Sequence, residues 1–179
     1  MKLSVLMNKK HLSLAIIILS LFLFRAVSAG EGKKIIRTGE EFYANGAFTE
    51  AVAAFDEALA LDPRNFDAYL GRGKAFYKLK RYREAIDDYT RKLQITGDCA
   101  RAHYHRGLAY VELQEFKKAV ADFDEAIHIH SSYSNALFSR GKVKYQMKDT
   151  LGAMKDIRVA AEKENPEAIE WLKKYEPNR

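Results

Sequence analysis

From residue 32 to residue 167 apolar side chains recur at helical spacing, and the whole pattern repeats every 34 residues without an insertion. The blocks are 32–65, 66–99, 100–133 and 134–167. Counted within a block, position 8 is Gly39, Gly73, Gly107 and Gly141, and position 20 is Ala51, Ala85, Ala119 and Ala153. Position 24 is Phe55, Tyr89, Phe123 and Ile157, and position 11 is Phe42, Phe76, Tyr110 and, exceptionally, Lys144. Apolar residues gather at positions 8, 11 and 12 and again at 17, 20, 21, 24, 27 and 28, so each block predicts two amphipathic helices, A and B. Turn-prone pairs separate them: Asn45-Gly46, Lys80-Arg81, Gln114-Glu115 and Lys148-Asp149. Helix B stops near Asp62-Pro63, Gly97-Asp98, Ser131-Ser132 and Asn165-Pro166.

A glycine in the middle of a helix costs about 1 kcal/mol relative to alanine. Its recurrence at position 8 therefore needs an offsetting gain. Close approach of helix A to the alanine at position 20 of helix B supplies one, and the ring at position 24, once buried, contributes about 1.5–3 kcal/mol. These glycines are isolated within helices, which argues against a phosphate loop, where glycines cluster at a strand–helix junction.

The residues at positions 8, 11, 20, 24, 27 and 32 resemble the tetratricopeptide repeat family over residues 32–167. The resemblance implies an all-α, right-handed helical solenoid of four 34-residue helix-turn-helix repeats. Three residues depart from the pattern: Lys92 at position 27, where Ala58, Ala126 and Ala160 stand elsewhere, Thr38 at position 7, and Lys144 at position 11. Lys92 puts the packing between repeats 2 and 3 in question. After the fourth repeat, residues 167–175 form a further amphipathic helix with Ala168, Ile169, Leu172 and Tyr175 on one face and Pro166 in its first turn. Residues 168–179 are thus a C-terminal capping helix and tail, covering the apolar end of the solenoid. The start shows no equivalent cap.

The net charge is +6, which raises a nucleic-acid reading. Residues 1–29 contain Lys2, Lys9, Lys10 and Arg25 and no acid, and beyond them 26 basic residues face 24 acidic ones, a net of only +2. A basic start, the apolar run 12–24 and small residues up to Ala29 predict a secretory signal peptide cleaved after Ala29. A helix of that run spans about 20 Å, short for a hydrocarbon core of about 30 Å. An uncleaved anchor formed by residues 12–24 is the alternative. Cys99 is the single cysteine and no Asn-x-Ser/Thr sequon occurs, so a bacterial periplasm or secretion is the simplest setting. The low mature charge and the export signal oppose an RNA-binding repeat.

In the family the A helices line the concave face, and the resemblance implies that positions 2, 5, 9, 12 and 13 point into it. The groove candidates are Ile36, Tyr43, Leu70, Lys74, Tyr77, Lys78, Arg101, Tyr104, Leu108, Phe138, Lys142 and Tyr145. Aromatics beside cations suit a protein or extended peptide with apolar and acidic side chains. Chaperone-binding members hold a terminal carboxylate with a Lys/Asn/Arg clamp. The corresponding sets here, Ile36, Glu40, Gly71, Arg101, His105 and Leu70, Lys74, His105, Asn135, Ser139, lack it. His103 occupies a core-like position, His128 and His130 lie near the end of a B helix, and Asp87, Asp88, Asp122, Asp124 and Glu125 read as a solvated helix face. No catalytic, cofactor or metal constellation is expected. The reading is an exported interaction scaffold, with a structural subunit of an envelope assembly or a membrane-anchored protein as alternatives. Sequencing the N-terminus of the chain recovered from its native host should find Gly30 first; a full-length cytosolic product contradicts export.

Overall fold

The computed structural model describes residues 30–176, and the signal peptide with its cleavage point lies outside the described residues. Helix α1 is described over residues 30–44 and is followed by α2 (Phe48–Leu61), α3 (Phe66–Lys78) and α4 (Tyr82–Thr96). Then come α5 (Ala100–Glu112), α6 (Phe116–Ile129), α7 (Ser134–Gln146), α8 (Thr150–Glu162) and α9 (Pro166–Tyr175). No strand occurs among the described residues. Each helix packs on the next, and α3 also touches α5 while α5 touches α7, so the A helices form an inner row and the B helices an outer one. This is the all-α solenoid of helix pairs that the period predicts. No described helix is long and apolar enough to cross a membrane.

Within a pair, the glycine at position 8 meets the position-24 side chain most closely, and in repeat 4 it also lies against Ala153 at position 20. A Cβ on Gly39, Gly73 or Gly107 would lie 2.7–2.9 Å from the ring of Phe55, Tyr89 or Phe123 in the same repeat. On Gly141 it would meet Ile157 at 2.6 Å. The glycine thus admits the position-24 side chain against helix A backbone, and the small alanine at position 20, buried in all four repeats, completes the seam. The A–B turn is also uniform: Gly46, Lys80, Gln114 and Lys148 all stand at position 15 with φ between 59° and 78°. Only repeat 1 uses the residue that adopts this left-handed conformation without strain.

Between repeats, positions 3 and 10 of helix A carry the seam. Ala68, Ala102 and Ala136 at position 3 and Ala75, Ala109 and Val143 at position 10 are buried. Repeat 1 has exposed Lys34 and Glu41 there instead. Two seam positions of repeat 1 are thus polar, while Ile35, Phe42, Ala53 and Ala54 line a depression beside them. At the other end Asn165 caps α9, accepting from the Ala168 N–H at 2.8 Å and donating to Asn135 of α7 at 2.7 Å. Lys92 is buried with its Nζ 4.1 Å above the Phe66 ring of its own repeat, an ammonium held on an aromatic face.

A ladder of arginines binds the repeats together. Arg72, Arg106 and Arg140 at position 7 each hold the aspartate at position 23 of their own repeat, Asp88, Asp122 or Asp156, through two N–H groups at 2.6–2.8 Å. The third nitrogen crosses to position 25 of the preceding repeat, where Asp56, Thr90 or Asp124 accepts within 3.0 Å. The rungs stop at both ends. Repeat 1 has Thr38 and Ala54 at positions 7 and 23, and repeat 4 has Arg158 at position 25, which turns to Glu176 at 2.6 Å. Asp88 and Asp122 are thus buried and paired, a correction to their reading as solvated, whereas Asp87, Asp124 and Glu125 are exposed.

Charge balance differs from rung to rung. Burial pushes the Asp122 and Asp156 carboxyls up, but the bonds from Arg106 with His103, and from Arg140 with Lys144, outweigh it and leave both below the usual range. Lys144, the exception at position 11, is thus the second cation of its rung, 2.8 Å from Asp156. Asp88 has Arg72 alone, and there burial prevails and raises it. A carboxyl whose folded pKa is depressed stabilises above its unfolded pKa and loses that contribution as pH falls through the folded value. Asp122→Ala should therefore cost about 3 kcal/mol at neutral pH, the scale of a broken buried pair. The cost should shrink as acid protonates the wild-type carboxyl. Asp124→Ala, on an exposed partner, should cost about 1 kcal/mol or less. Thermal melting of both variants across pH checks this; equal costs, or a cost that grows in acid, would contradict the ladder.

Candidate functional site

The inner row of A helices carries all the groove candidates, but they are not equally available. Leu70 and Phe138 at position 5 are buried in two of the core clusters, so they are floor and not accessible contacts. Position 5 faces the seam between neighbouring A and B helices, which is why their side chains turn inward. Ile36, Tyr43 and Tyr77 are half-buried against the first cluster, and Tyr104 and Leu108 against the third. Tyr77 donates to Glu112 at 3.2 Å, tying α3 to α5, and Tyr104 stacks near Phe123 and Tyr133. Lys78, Arg101, Lys142 and Tyr145 are exposed.

One depression in the groove joins several of these. Glu40, Tyr43, Phe55, Asp67, Leu70, Gly71, Lys74 and Arg101 line a cavity of about 250 Å³ across α1, α3 and α5. Position 6 is Gly71 in repeat 2, where His105 and Ser139 stand in the next repeats, and the buried Phe55 ring occupies the space that a Cβ on Gly71 would take, beneath the depression. Lys74 places its Nζ 4.7 Å above the Tyr43 ring. Neither Lys74 nor Arg101 makes an ion pair with a described carboxylate, although Glu40 and Asp67 share the rim. Their joint charge is felt by His105: burial first, then Lys74 and Arg101, push its pKa down to about 4, so it is neutral at physiological pH. His105 stacks on Tyr89 at 5.8 Å between centroids, and the buried Tyr89 hydroxyl has no hydrogen-bond partner among the described residues.

Glu40 and Asp67 stand at groove positions 9 and 2, whereas Gly71 and Phe55 lie outside the groove positions and also line this depression. The one available signal was the extra glycine at position 6. The remaining histidines have local roles. His103 bonds Asp122 at 3.0 Å, and His130 lies 2.9 Å from the Ser132 hydroxyl. Cys99 is a free, half-buried thiol at the N-cap of α5.

The geometry is that of a repeat solenoid with an inner groove, and sequence comparison agrees. Residues 39–80 and 73–114 match a model of the TPR repeat, and residues 100–133 match one of the tetratricopeptide repeat. Together the matches run over residues 39–133, more than half of the chain, and the chain belongs to the tetratricopeptide repeat family. No curated protein sequence matches it. Among solved structures, that of MamA superposes with a TM-score of 0.71 at 25% identity, covering 76% of this chain and 80% of that one. YrrB, described as a TPR protein with an unusual peptide-binding site, gives 0.65 at 22% identity over 81% and 77%. The first TPR of Spaghetti (RPAP3), bound to the HSP90 peptide SRMEEVD, gives 0.64 at 20% over 65% and 93%.

The division between floor and rim has a direct consequence for stability. Phe123→Ala should cost about 3–5 kcal/mol and Leu70→Ala about 2–5 kcal/mol, as for core side chains. Lys74→Ala and Lys142→Ala should change stability by less than about 0.5 kcal/mol. Chemical denaturation of the four variants tests this; a Leu70→Ala protein as stable as its parent would return Leu70 to the accessible groove.

Proposed function

We propose that the chain is an exported interaction scaffold whose inner groove binds an extended protein segment carrying apolar and acidic side chains. The observation that carries this reading is the depression at Gly71. The half-buried Tyr43 ring in its wall suits an apolar side chain, and Lys74 and Arg101 beside it lack described carboxylate partners that would satisfy them. A charged group on a partner gains charge-assisted hydrogen bonds there. The two peptide-binding descriptions among similar folds support use of this architecture for peptides, without indicating which peptide. Residues 1–29 supply the export part of the proposal through their composition. Because His105 is neutral well above its pKa of about 4, binding should not switch between about pH 6 and pH 8 on its account.

The test is a partner recovered by cross-linking from the native host and then bound to purified variants. Lys74→Glu with Arg101→Glu should abolish binding at unchanged melting temperature. Lys117→Glu with Lys155→Glu, on the outer helices, should leave it intact. The effect of single neutralisations should be larger at low salt, since exposed charges are screened. Loss of binding through the outer pair alone would defeat the groove reading.

A further inference from the structure

Helix α9 was expected to be a cap, and it does cover Ile157 and Ala160 with Ala168, Trp171 and Leu172. Its register shows a second use. Asn165 caps α9 as Asn65 caps α3, each accepting from the N–H three residues on, at Ala168 and Ala68, and both alanines are fully buried. Aligned on these caps, Glu167 corresponds to Asp67, Glu170 to Leu70, Trp171 to Gly71 and Lys174 to Lys74. The residues that line the depression on α3 thus have counterparts on α9, where Trp171 and Tyr175 lie beside the groove candidate Tyr145. They line an open shelf of about 480 Å³ formed by Pro166, Glu167, Glu170, Trp171, Lys174 and Tyr175.

The chemistry of the shelf differs from that of the depression. Trp171 lies 4.3 Å from Tyr175 and 5.5 Å from Tyr145, and Tyr145 lies 6.2 Å from Tyr175, so three rings form one aromatic surface. Tyr145 and Tyr175 are 43% and 49% exposed, high for rings that touch one another. Two carboxylates border them. Glu167 makes no ion pair with a described residue, and Glu170 meets only Lys173, at 3.9 Å. Tyr104 of α5 has its pKa raised by burial first and, as a lesser cause, by the charge of Glu167. Ring faces attract cations, and carboxylates reinforce that preference. In the free protein the flexible Lys174 already holds its Nζ 5.2 Å above the Tyr175 ring, so this ring face accepts a cation.

We propose that the aromatic shelf of Tyr145, Trp171 and Tyr175, bordered by Glu167 and Glu170, is a second subsite of the groove that takes a cationic side chain, arginine above all, of the bound segment. This rests on the reading that the groove binds peptides. A guanidinium stacks flat on the rings and forks onto a carboxylate, which the ammonium of Lys174 cannot do, so it displaces Lys174 from Tyr175. With acidic groups drawn to Lys74 and Arg101 and a cation drawn to α9, the two ends of the groove select opposite charges. A bound segment then has a fixed direction.

Trp171 is the single tryptophan of the chain, so its fluorescence reports on the shelf without a label. The probes are end-blocked peptides of one sequence carrying arginine, norleucine or glutamate at a central position. The arginine peptide should perturb the emission saturably and bind about fivefold or more tighter than the norleucine peptide, as a solvated cation–π contact with a nearby carboxylate allows. Glu167→Gln with Glu170→Gln should remove that advantage, and Lys174→Gln, which deletes the internal competitor, should increase it. Equal binding of the arginine and norleucine peptides, or an advantage indifferent to the glutamates, would overturn the proposal. Those outcomes leave the groove reading standing, because it depends on Lys74 and Arg101. Conversely, an arginine preference that persists while the recovered partner ignores Lys74 and Arg101 would sink the acidic subsite at those two residues and keep the shelf.

Discussion

Each helix pair in this protein closes on a large side chain laid against bare backbone. Phe55, Tyr89, Phe123 and Ile157 are almost fully buried, and each occupies space that a Cβ at the facing glycine would take. The cost of about 1 kcal/mol for a mid-helix glycine is outweighed by burial of a ring worth about 1.5–3 kcal/mol. That contact sets the distance between A and B helices. The alanines at positions 3 and 10 then bring the next pair close, and the inner row of A helices follows from the two spacings together.

On this frame the polar residues decide register. A bidentate arginine–aspartate pair adds a defined geometry that apolar packing lacks, and the third nitrogen of each arginine fixes the neighbouring repeat. The described rungs do not continue into the outermost helices. Lys34 and Glu41 replace the small seam residues at the start, and Arg158 replaces the acceptor that a further rung would need.

The helices, their pairing and the repeat count were legible because the glycine row and apolar spacing recur in register four times and are local. The ladder was not, because its partners stand 16 residues apart on different helices. The acids were judged on their own helix, where Asp88 and Asp122 look like part of a charged face. Thr38 and Lys144 appeared as departures, and each is accounted for by its rung: one absent, one reinforced. The groove was legible in outline only. Position 5 is nominally inward, yet Leu70 and Phe138 sink into the core because neighbouring helices close over them. The depression is assembled from residues of separate helices, and the part α9 plays depends on a cap register that no 34-residue period contains.

The central claim is that recognition occurs on the inner row of helices. Lysine-selective acetylation of the chain, alone and with its recovered partner, read residue by residue in a mass spectrometer, tests it most directly. The account predicts protection of Lys74, Lys78 and Lys142, with Lys117 and Lys155 on the outer helices modified at the same rate in both states. Protection of Lys117 and Lys155 while the inner lysines stay reactive would contradict it.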